Sequence, residues 1–135
     1  MVDDGAMNRK VMKRKFTTGV FEQFKWSVEV AKSGEEALEM IDENGFYDFI
    51  VMDENLYEAG GVLTGTETTM LIREKEEKCS RGVEVRSLIF GCSGNCTEED
   101  VAISKESGQD FFWPKPVPPS ELALEDFHRY WKKKS

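Results

Sequence analysis

The sequence is poor in the features of a disulfide-stapled, membrane-spanning or secreted protein. It has three cysteines in 135 residues, and none of them stands in C-x-x-C spacing. An odd count without that spacing argues against a disulfide framework or a zinc site. No apolar run approaches the roughly 20 residues that a membrane-spanning helix needs. The first twenty residues carry charges throughout, unlike a secretory signal peptide. These absences predict a cytoplasmic location and no membrane contact by this domain, although the domain could be part of a larger, membrane-attached protein.

Positive charge is also scarce. Lys and Arg number 18 against 26 Asp and Glu, which gives a net charge of −8. Binding to nucleic acid requires a basic surface that neutralises phosphates, so we expect no nucleic-acid partner. The length fits one domain spanning residues 1–135, and the mixed charges describe a solvated surface rather than a disordered chain.

Apolar strand patterns alternate with amphipathic helix patterns along the chain. Helices are predicted over 6–24, 34–43, 66–78, 98–107 and 119–133, and strands over 27–31, 48–53, 87–92 and 110–113. Strands separated by helices favour a parallel sheet with helices on both faces. The sequence therefore predicts an α/β fold, a three-layer α/β/α sandwich.

Polar side chains follow three of these strands where each one ends. Asp53, Ser93 and Lys115 stand at or just past three strand ends, and Asp3 and Asp4 open the chain. In parallel α/β sheets, the carboxyl ends of the strands meet in one crevice. Clustered carboxylates repel one another unless a cation is present. Oxygen ligands of this kind suit Mg²⁺, so we predict a magnesium site.

This set of residues matches the needs of phosphoryl transfer, which asks mainly for positioning and charge stabilisation. Asp53 would be the nucleophile that forms an aspartyl phosphate. Lys115 would pair with one phosphoryl oxygen, and Ser93 would donate a hydrogen bond to another. Each residue alone is weak evidence, whereas the combination at successive strand ends is far more specific.

The chain resembles the response-regulator receiver domain, in the variety fused to eukaryotic hybrid histidine kinases. The resemblance rests on VDDGAMNRKVMKR, GEEALEMI, DFIVMDENL, TGTETTMLIRE, SLIFGCSGN and DFFWPKP. It implies a CheY-like (flavodoxin-like) sheet of order 2-1-3-4-5 and a histidine-to-aspartate phosphorelay. The implied partner is a histidine kinase or a histidine phosphotransfer protein, and a phosphorylation-dependent dimer is possible in this family. It also implies a signalling protein rather than an enzyme, one that at most catalyses its own phosphorylation and dephosphorylation.

Carried over by position, the resemblance assigns a role to each site residue. Its assignments are the metal ligands Asp3, Asp4, Asp53 and the backbone carbonyl of Asn55; the phospho-acceptor Asp53; the lysine Lys115; the switch pair Ser93 and Phe112; and the tuning residues Asn55, Gly94 and Asn95. The implied readout face comprises the fourth helix, the last strand and the last helix, around Ser104, Phe112 and Trp113.

The sequence departs from the family pattern most clearly at its start. Only Met1 and Val2 precede the acidic pair, where the family has an apolar strand, so we expect the first strand to be truncated or missing. The chain also carries an extended YEAGGVLTGT loop soon after Asp53 where Met-Pro is usual. An inert pseudo-receiver that serves as an interaction module is therefore one alternative. A phosphatase of the haloacid-dehalogenase class is less favoured, because Asn55 stands where its second acid is required.

Overall fold

The computed structural model describes residues 1–57, 60–79 and 86–134, so part of the loop after Asp53 lies outside the described residues. The elements in chain order are α1 (Ala6–Lys15), a 3₁₀ helix (Gly19–Phe24), α2 (Gly34–Asn44), β1 (Phe49–Asp53), α3 (Gly65–Cys79), β2 (Leu88–Ser93), α4 (Glu98–Ser107), β3 (Phe111–Pro114) and α5 (Ser120–Lys134). Within the described ranges, every helix is too short or too polar to cross a membrane.

The three strands form a parallel sheet of order β1-β2-β3. Asp53 lies opposite Cys92, and Ser93 lies opposite Pro114, so all three strands end at one edge. The parallel α/β fold predicted from the alternating pattern is confirmed. Because successive strand residues point to opposite faces, the sheet separates two apolar cores. One core contains Val51, Phe90 and Phe127, and the other contains Ile50, Met52 and Ile72.

The sheet is incomplete on the outer side of β1. Val2 alone occupies the place of the first strand, and it forms isolated parallel bridges to Ala31 and to Met52. This agrees with the expected truncation. The strand predicted over 27–31 was wrong, because among these residues only Ala31 makes a bridge. An alternating apolar pattern alone does not make residues 27–30 a strand, because no neighbouring strand lies beside them to pair with.

The helix boundaries follow local capping chemistry. Ser33 accepts a hydrogen bond from Glu36 N at the start of α2, and Thr97 forms a reciprocal capping box with Asp100 at the start of α4. The single helix predicted over 6–24 was wrong, because α1 ends at Lys15 and a separate 3₁₀ helix follows. Gly19, the first residue of the 3₁₀ helix, adopts a positive φ of 60°, which favours glycine and interrupts a continuous α-helix.

A buried amide beside β2 joins α3 to α4. Gln109 accepts a hydrogen bond from Ser104 Oγ and donates one to Thr69 Oγ1 at 3.1 Å. Thr69 in turn donates to the carbonyl of Gly65 at 2.8 Å. A side chain at Gly91 would collide with Gln109, since its Cβ would lie 1.9 Å from the amide oxygen. Glycine at that position therefore provides the space that the amide occupies.

Candidate functional site

Three carboxylates meet at the edge where the strands end. Asp3, Asp4 and Asp53 each offer an oxygen within 4.8 Å of the others, and Asp3 and Asp53 are buried. Val2 brings them together, because it accepts a hydrogen bond from Asp53 N at 2.9 Å and its own bridges hold the adjoining residues. Three hard oxygen ligands are a donor set that suits Mg²⁺. The residues present therefore fit the predicted ion.

Lys115 forms the cationic side of the site. Its Nζ lies 2.9 Å from Asp53 Oδ1, and its backbone N–H donates to the Ser93 carbonyl at 2.8 Å. The Asp53 side chain is 4% exposed and that of Lys115 is 35% exposed, so the lysine reaches from the surface to a buried acid. The pairing of β2 with β3 thus positions both Ser93 and Lys115 beside β1.

Burial outweighs the effect of the lysine on the pKa of Asp53. Burial raises the pKa of Asp53 to about 6; the charges of Asp3 and Asp4 add to that rise, and the hydrogen bond and charge of Lys115 oppose it. Burial lowers the pKa of Lys115, but its hydrogen bond to Asp53 and the nearby negative charges raise it above its ordinary value. The lysine is thus held charged while Asp53 still resists ionisation. A bound dication would remove that resistance.

Ser93, Gly94 and Asn95 form the short segment that leaves β2. Ser93 is buried, and its Oγ accepts a hydrogen bond from Asn95 N at 3.1 Å. Gly94 and Asn95 are exposed, and a Cβ at Gly94 would meet no atom within 4 Å. Asn55 is exposed in the loop after β1. The space above Gly94 is therefore open, while the tuning roles of Asn55, Gly94 and Asn95 stay predictions.

The residues expected on the readout face are mostly buried. Ser104 and Trp113 are each 2% exposed, and Trp113 Nε1 donates to Asp126 Oδ2 at 2.8 Å. Phe112 is half-buried, and it lines a surface hollow between β3 and α5. Ser104 and Trp113 therefore pack behind that surface, and the readout role of this face stays a prediction.

Two further residues shape the site and were missed in the sequence. A Cβ at Gly65 would lie 2.2 Å from the Asp53 carbonyl oxygen, so glycine lets α3 begin directly against the acceptor. Cys92 is buried beside Asp53; burial raises the pKa of its thiol to about 12, with the charge of Asp53 adding to the rise. The glycine in the TGT segment was a signal for close approach, whereas the position of Cys92 offered none.

Comparison with known proteins identifies the family to which this fold and this site belong. The family model for the response regulator receiver domain matches residues 1–125. The chain therefore belongs to the response regulator receiver family. It is a receiver domain of the two-component signalling class, a class that is generally not enzymatic.

The relatives are much longer than this chain, which spans only a small part of each. The chain is 30% identical over 132 residues to hybrid signal transduction histidine kinase A of Dictyostelium discoideum, covering 97% of this chain and 5% of that protein. It is also 30% identical over 129 residues to the autoinducer 2 sensor kinase/phosphatase LuxQ of Vibrio parahaemolyticus, covering 94% of this chain and 13% of that protein.

Solved structures share the fold. A CheY-like receiver domain protein from Methanospirillum hungatei superposes with a TM-score of 0.73 at 22% identity, covering 98% of this chain and 92% of that one. A second match is the Saccharomyces cerevisiae co-crystal structure of the histidine phosphotransfer protein Ypd1 with the receiver domain of the response regulator Ssk1. It superposes with a TM-score of 0.74 at 25% identity, covering 93% of this chain and 83% of that one.

Proposed function

We propose that Asp53 accepts a phosphoryl group from a phosphohistidine of a partner protein. The observation that carries this proposal is the pairing of buried Asp53 with Lys115 at 2.9 Å inside the carboxylate cluster. A buried acid at a strand end, paired with a lysine, suits a nucleophile that must later carry extra negative charge. Membership of the receiver family supports the same reaction.

The transfer exchanges one bond for another. The Asp53 oxygen that is not bound to Lys115 attacks phosphorus, and the phosphorus–nitrogen bond of the donor breaks. The electron pair of that bond leaves with the imidazole nitrogen. Lys115 is placed to follow the developing charge by shifting its ammonium to a phosphoryl oxygen. Asp3, Asp4 and Asp53 would hold Mg²⁺, together with the carbonyl of Asn55. Such an ion neutralises charge on the phosphoryl oxygens.

Ser93 and Phe112 would convert that event into a change of state. The Ser93 hydroxyl now accepts from Asn95 N, and it gains a charged oxygen as a new acceptor only after phosphorylation. A contact made in one state alone is what biases an equilibrium between two states. Movement of Ser93 toward the phosphoryl group leaves space for Phe112 to turn inward from β3. The hollow beside Phe112 would change shape and alter binding there, including any phosphorylation-dependent dimer.

A histidine kinase or a histidine phosphotransfer protein is the partner that this site suits. Met7 and Val11 lie one turn apart on α1 and are 71% and 55% exposed. α1 begins directly after the acidic pair, so these apolar side chains lie near the acceptor edge and suit contact with a helix of the donor. The neighbouring yeast structure, in which a receiver domain binds a histidine phosphotransfer protein, supports this choice.

The test is mass spectrometry after incubation with acetyl phosphate and Mg²⁺. We expect the intact protein to gain one phosphoryl group, and we expect Asp53→Asn to gain none. Asp42→Asn is the matched control, because Asp42 is an exposed aspartate whose side chain pairs with Lys75 on the surface. Equal labelling of the wild type and Asp53→Asn would contradict the proposal.

A second candidate is an inert interaction module, because few main-chain contacts hold the acidic pair beside Asp53, chiefly the hydrogen bonds from Asp53 N to Val2 O and from Asp3 N to Ala31 O. A protein that gains no phosphoryl group, with unchanged stability on adding Mg²⁺, would be such a module.

A further inference from the structure

The segment that joins β3 to α5 contains all four prolines of the chain. They stand at positions 114, 116, 118 and 119, so Lys115 lies between two of them. Proline has no backbone N–H, and Lys115 and Val117 are therefore the main-chain donors of residues 114–119. Lys115 N donates to the Ser93 carbonyl at 2.8 Å. Beyond Lys115, the position of this segment depends mainly on donors elsewhere in the chain that reach its carbonyl groups.

Lys15, the last residue of α1, supplies such a donor. Its Nζ donates a hydrogen bond to the Pro118 carbonyl at 2.6 Å. The side chain is half-buried; burial lowers its pKa, and the negative charge of Glu121 opposes that change. Hydrogen bonds from a charged donor are stronger than those between neutral groups, and partial burial strengthens them further. The bond therefore fixes the main chain three residues after Lys115.

Helix α1 also contacts the acidic half of the site. It begins two residues after Asp4, and Arg9 Nη1 donates to the Asp3 carbonyl at 2.8 Å. At 1.5 Å per residue, the ten residues of the helix span about 15 Å. Through Arg9 and Lys15, one helix thus connects the acidic pair with the segment that carries Lys115.

We propose that Lys15 is a positioning residue for the phosphorylation of Asp53, because it holds the segment from which Lys115 reaches the acceptor. This inference rests on the function proposed above. The Lys115 side chain is 35% exposed, and its Nζ lies 2.9 Å from Asp53 Oδ1. Fixing its main chain limits the positions that its ammonium group can take, and small displacements of a group that assists a reaction lower the rate strongly.

Two substitutions at position 15 separate the hydrogen bond from the rest of the side chain. Lys15→Met keeps an unbranched side chain and removes the donor, whereas Lys15→Arg keeps a charged donor of similar reach. Lys13→Met is the matched control, because Lys13 is exposed on the same helix. None of these changes alters a predicted ligand of Mg²⁺.

The first measurement is the rate at which acetyl phosphate phosphorylates the full chain, followed by mass spectrometry over a range of Mg²⁺ concentrations. We expect Lys15→Met to lower the rate at saturating Mg²⁺ about fivefold, because Lys115 is less often in place when transfer occurs. The Mg²⁺ concentration that gives half the maximal rate should stay the same, because the acidic pair is unchanged. Lys15→Arg should recover most of the rate, and Lys13→Met should match the wild type.

The second measurement is amide hydrogen exchange without phosphodonor or Mg²⁺, which does not depend on phosphorylation. Lys15→Met should speed exchange of the Lys115 amide about fivefold, because its bond to the Ser93 carbonyl opens more often. The Asp53 amide, which donates to the Val2 carbonyl, should exchange as in the wild type. A general loss of stability would instead speed exchange of both amides alike.

Slower phosphorylation together with selective exchange at Lys115, both recovered by Lys15→Arg, would support the proposal. Equal acceleration of both amides, or a loss of rate that Lys15→Arg does not recover, would overturn it. If Lys15→Met does not fold, Lys15→Gln, which keeps a shorter and uncharged donor, takes its place in both measurements. A wild type that gains no phosphoryl group would overturn the proposed function and this inference with it, whereas a labelled wild type matched by Lys15→Met would overturn this inference alone.

Discussion

The two edges of β1 differ sharply, although they belong to the same five residues. On the inner edge every residue from Phe49 to Asp53 pairs with β2. On the outer edge only the end of the strand is held, by the bridge between Val2 and Met52, and a cavity of about 620 Å³ follows. Despite this difference, Asp3, Asp4 and Asp53 all meet at the carboxyl end of β1. The main-chain hydrogen bonds of Val2 and Asp3 thus bring the acidic pair to Asp53.

This contrast separates what the site needs from what the fold needs. The site needs the end of the strand in register, and three hydrogen bonds around Val2 and Asp3 supply it. The fold needs apolar surface covered along the whole strand, and this is where the outer edge falls short. We therefore expect changes at the site to act on charge, and changes along the outer edge to act on stability.

The largest effect is expected from the charge of Asp53. Its pKa rises from 3.8 to about 6 in the folded chain, so the folded state holds the proton more tightly than the unfolded state. Stability from this group is full below the unfolded pKa and is lost as pH rises through about 6. Without divalent cations, the free energy of unfolding should fall by about 3 kcal/mol, at 1.36 kcal/mol for each pKa unit.

Urea unfolding of the wild type and Asp53→Asn between pH 4 and pH 8 measures this effect. Asp53→Asn should not lose stability as the pH rises, so it should be the more stable protein at pH 8. Millimolar Mg²⁺ should restore the free energy of unfolding of the wild type and leave that of the variant unchanged. Parallel pH dependence of the free energy of unfolding in the two proteins would contradict a raised pKa for Asp53.

A smaller effect is expected where α3 meets the acceptor. Gly65→Ala would place a Cβ 2.2 Å from the Asp53 carbonyl oxygen, and overpacking of this kind costs about 2 kcal/mol. The matched control is Gly94→Ala at the same edge, whose Cβ meets no atom within 4 Å. Urea unfolding at pH 7 should show a loss for the first and a change within about 0.5 kcal/mol for the second. Equal stability of the two variants would refute the tight contact.

The smallest effect concerns the switch. With beryllofluoride and Mg²⁺ as a phosphoryl mimic, Ser93→Ala should lose one charge-assisted hydrogen bond, worth about 1.5 kcal/mol or roughly tenfold in the ratio of the two states. Amide shifts in β3 around Phe112 should shrink, and so should the fluorescence response of Trp113. Ser27→Ala, an exposed residue in the extended segment before Ala31, should respond like the wild type. A full response from Ser93→Ala would assign the switch to other residues.

Local chemistry made much of this fold predictable. The helix predicted over 98–107 matches α4, because Thr97 and Asp100 form the capping box and Gly108 ends the helix in a left-handed conformation. The meeting of Asp53 with Lys115 followed from a rule that depends only on parallel strands, since all their carboxyl ends share an edge.

The failures arose where a partner outside the segment decides the outcome. Residues 27–31 alternate like a strand, but a strand needs a neighbour, and only Ala31 has one. The contact of Gly65 with the Asp53 carbonyl depends on how α3 packs, which no local pattern encodes. The burial of Trp113 likewise depends on a distant residue, because its indole N–H donates a hydrogen bond to Asp126 on α5.

The fit of Gln109 beside Gly91 constrains how this chain can diverge. A side chain at residue 91 would displace the Gln109 amide from its hydrogen bonds, because its Cβ would lie 1.9 Å from the amide oxygen. Without that amide, the buried hydroxyls of Ser104 and Thr69 would each lose a hydrogen-bond partner, which favours replacing them with apolar residues. Among related chains, positions 91, 109, 104 and 69 should therefore vary together, with glycine at 91 wherever a long polar residue stands at 109.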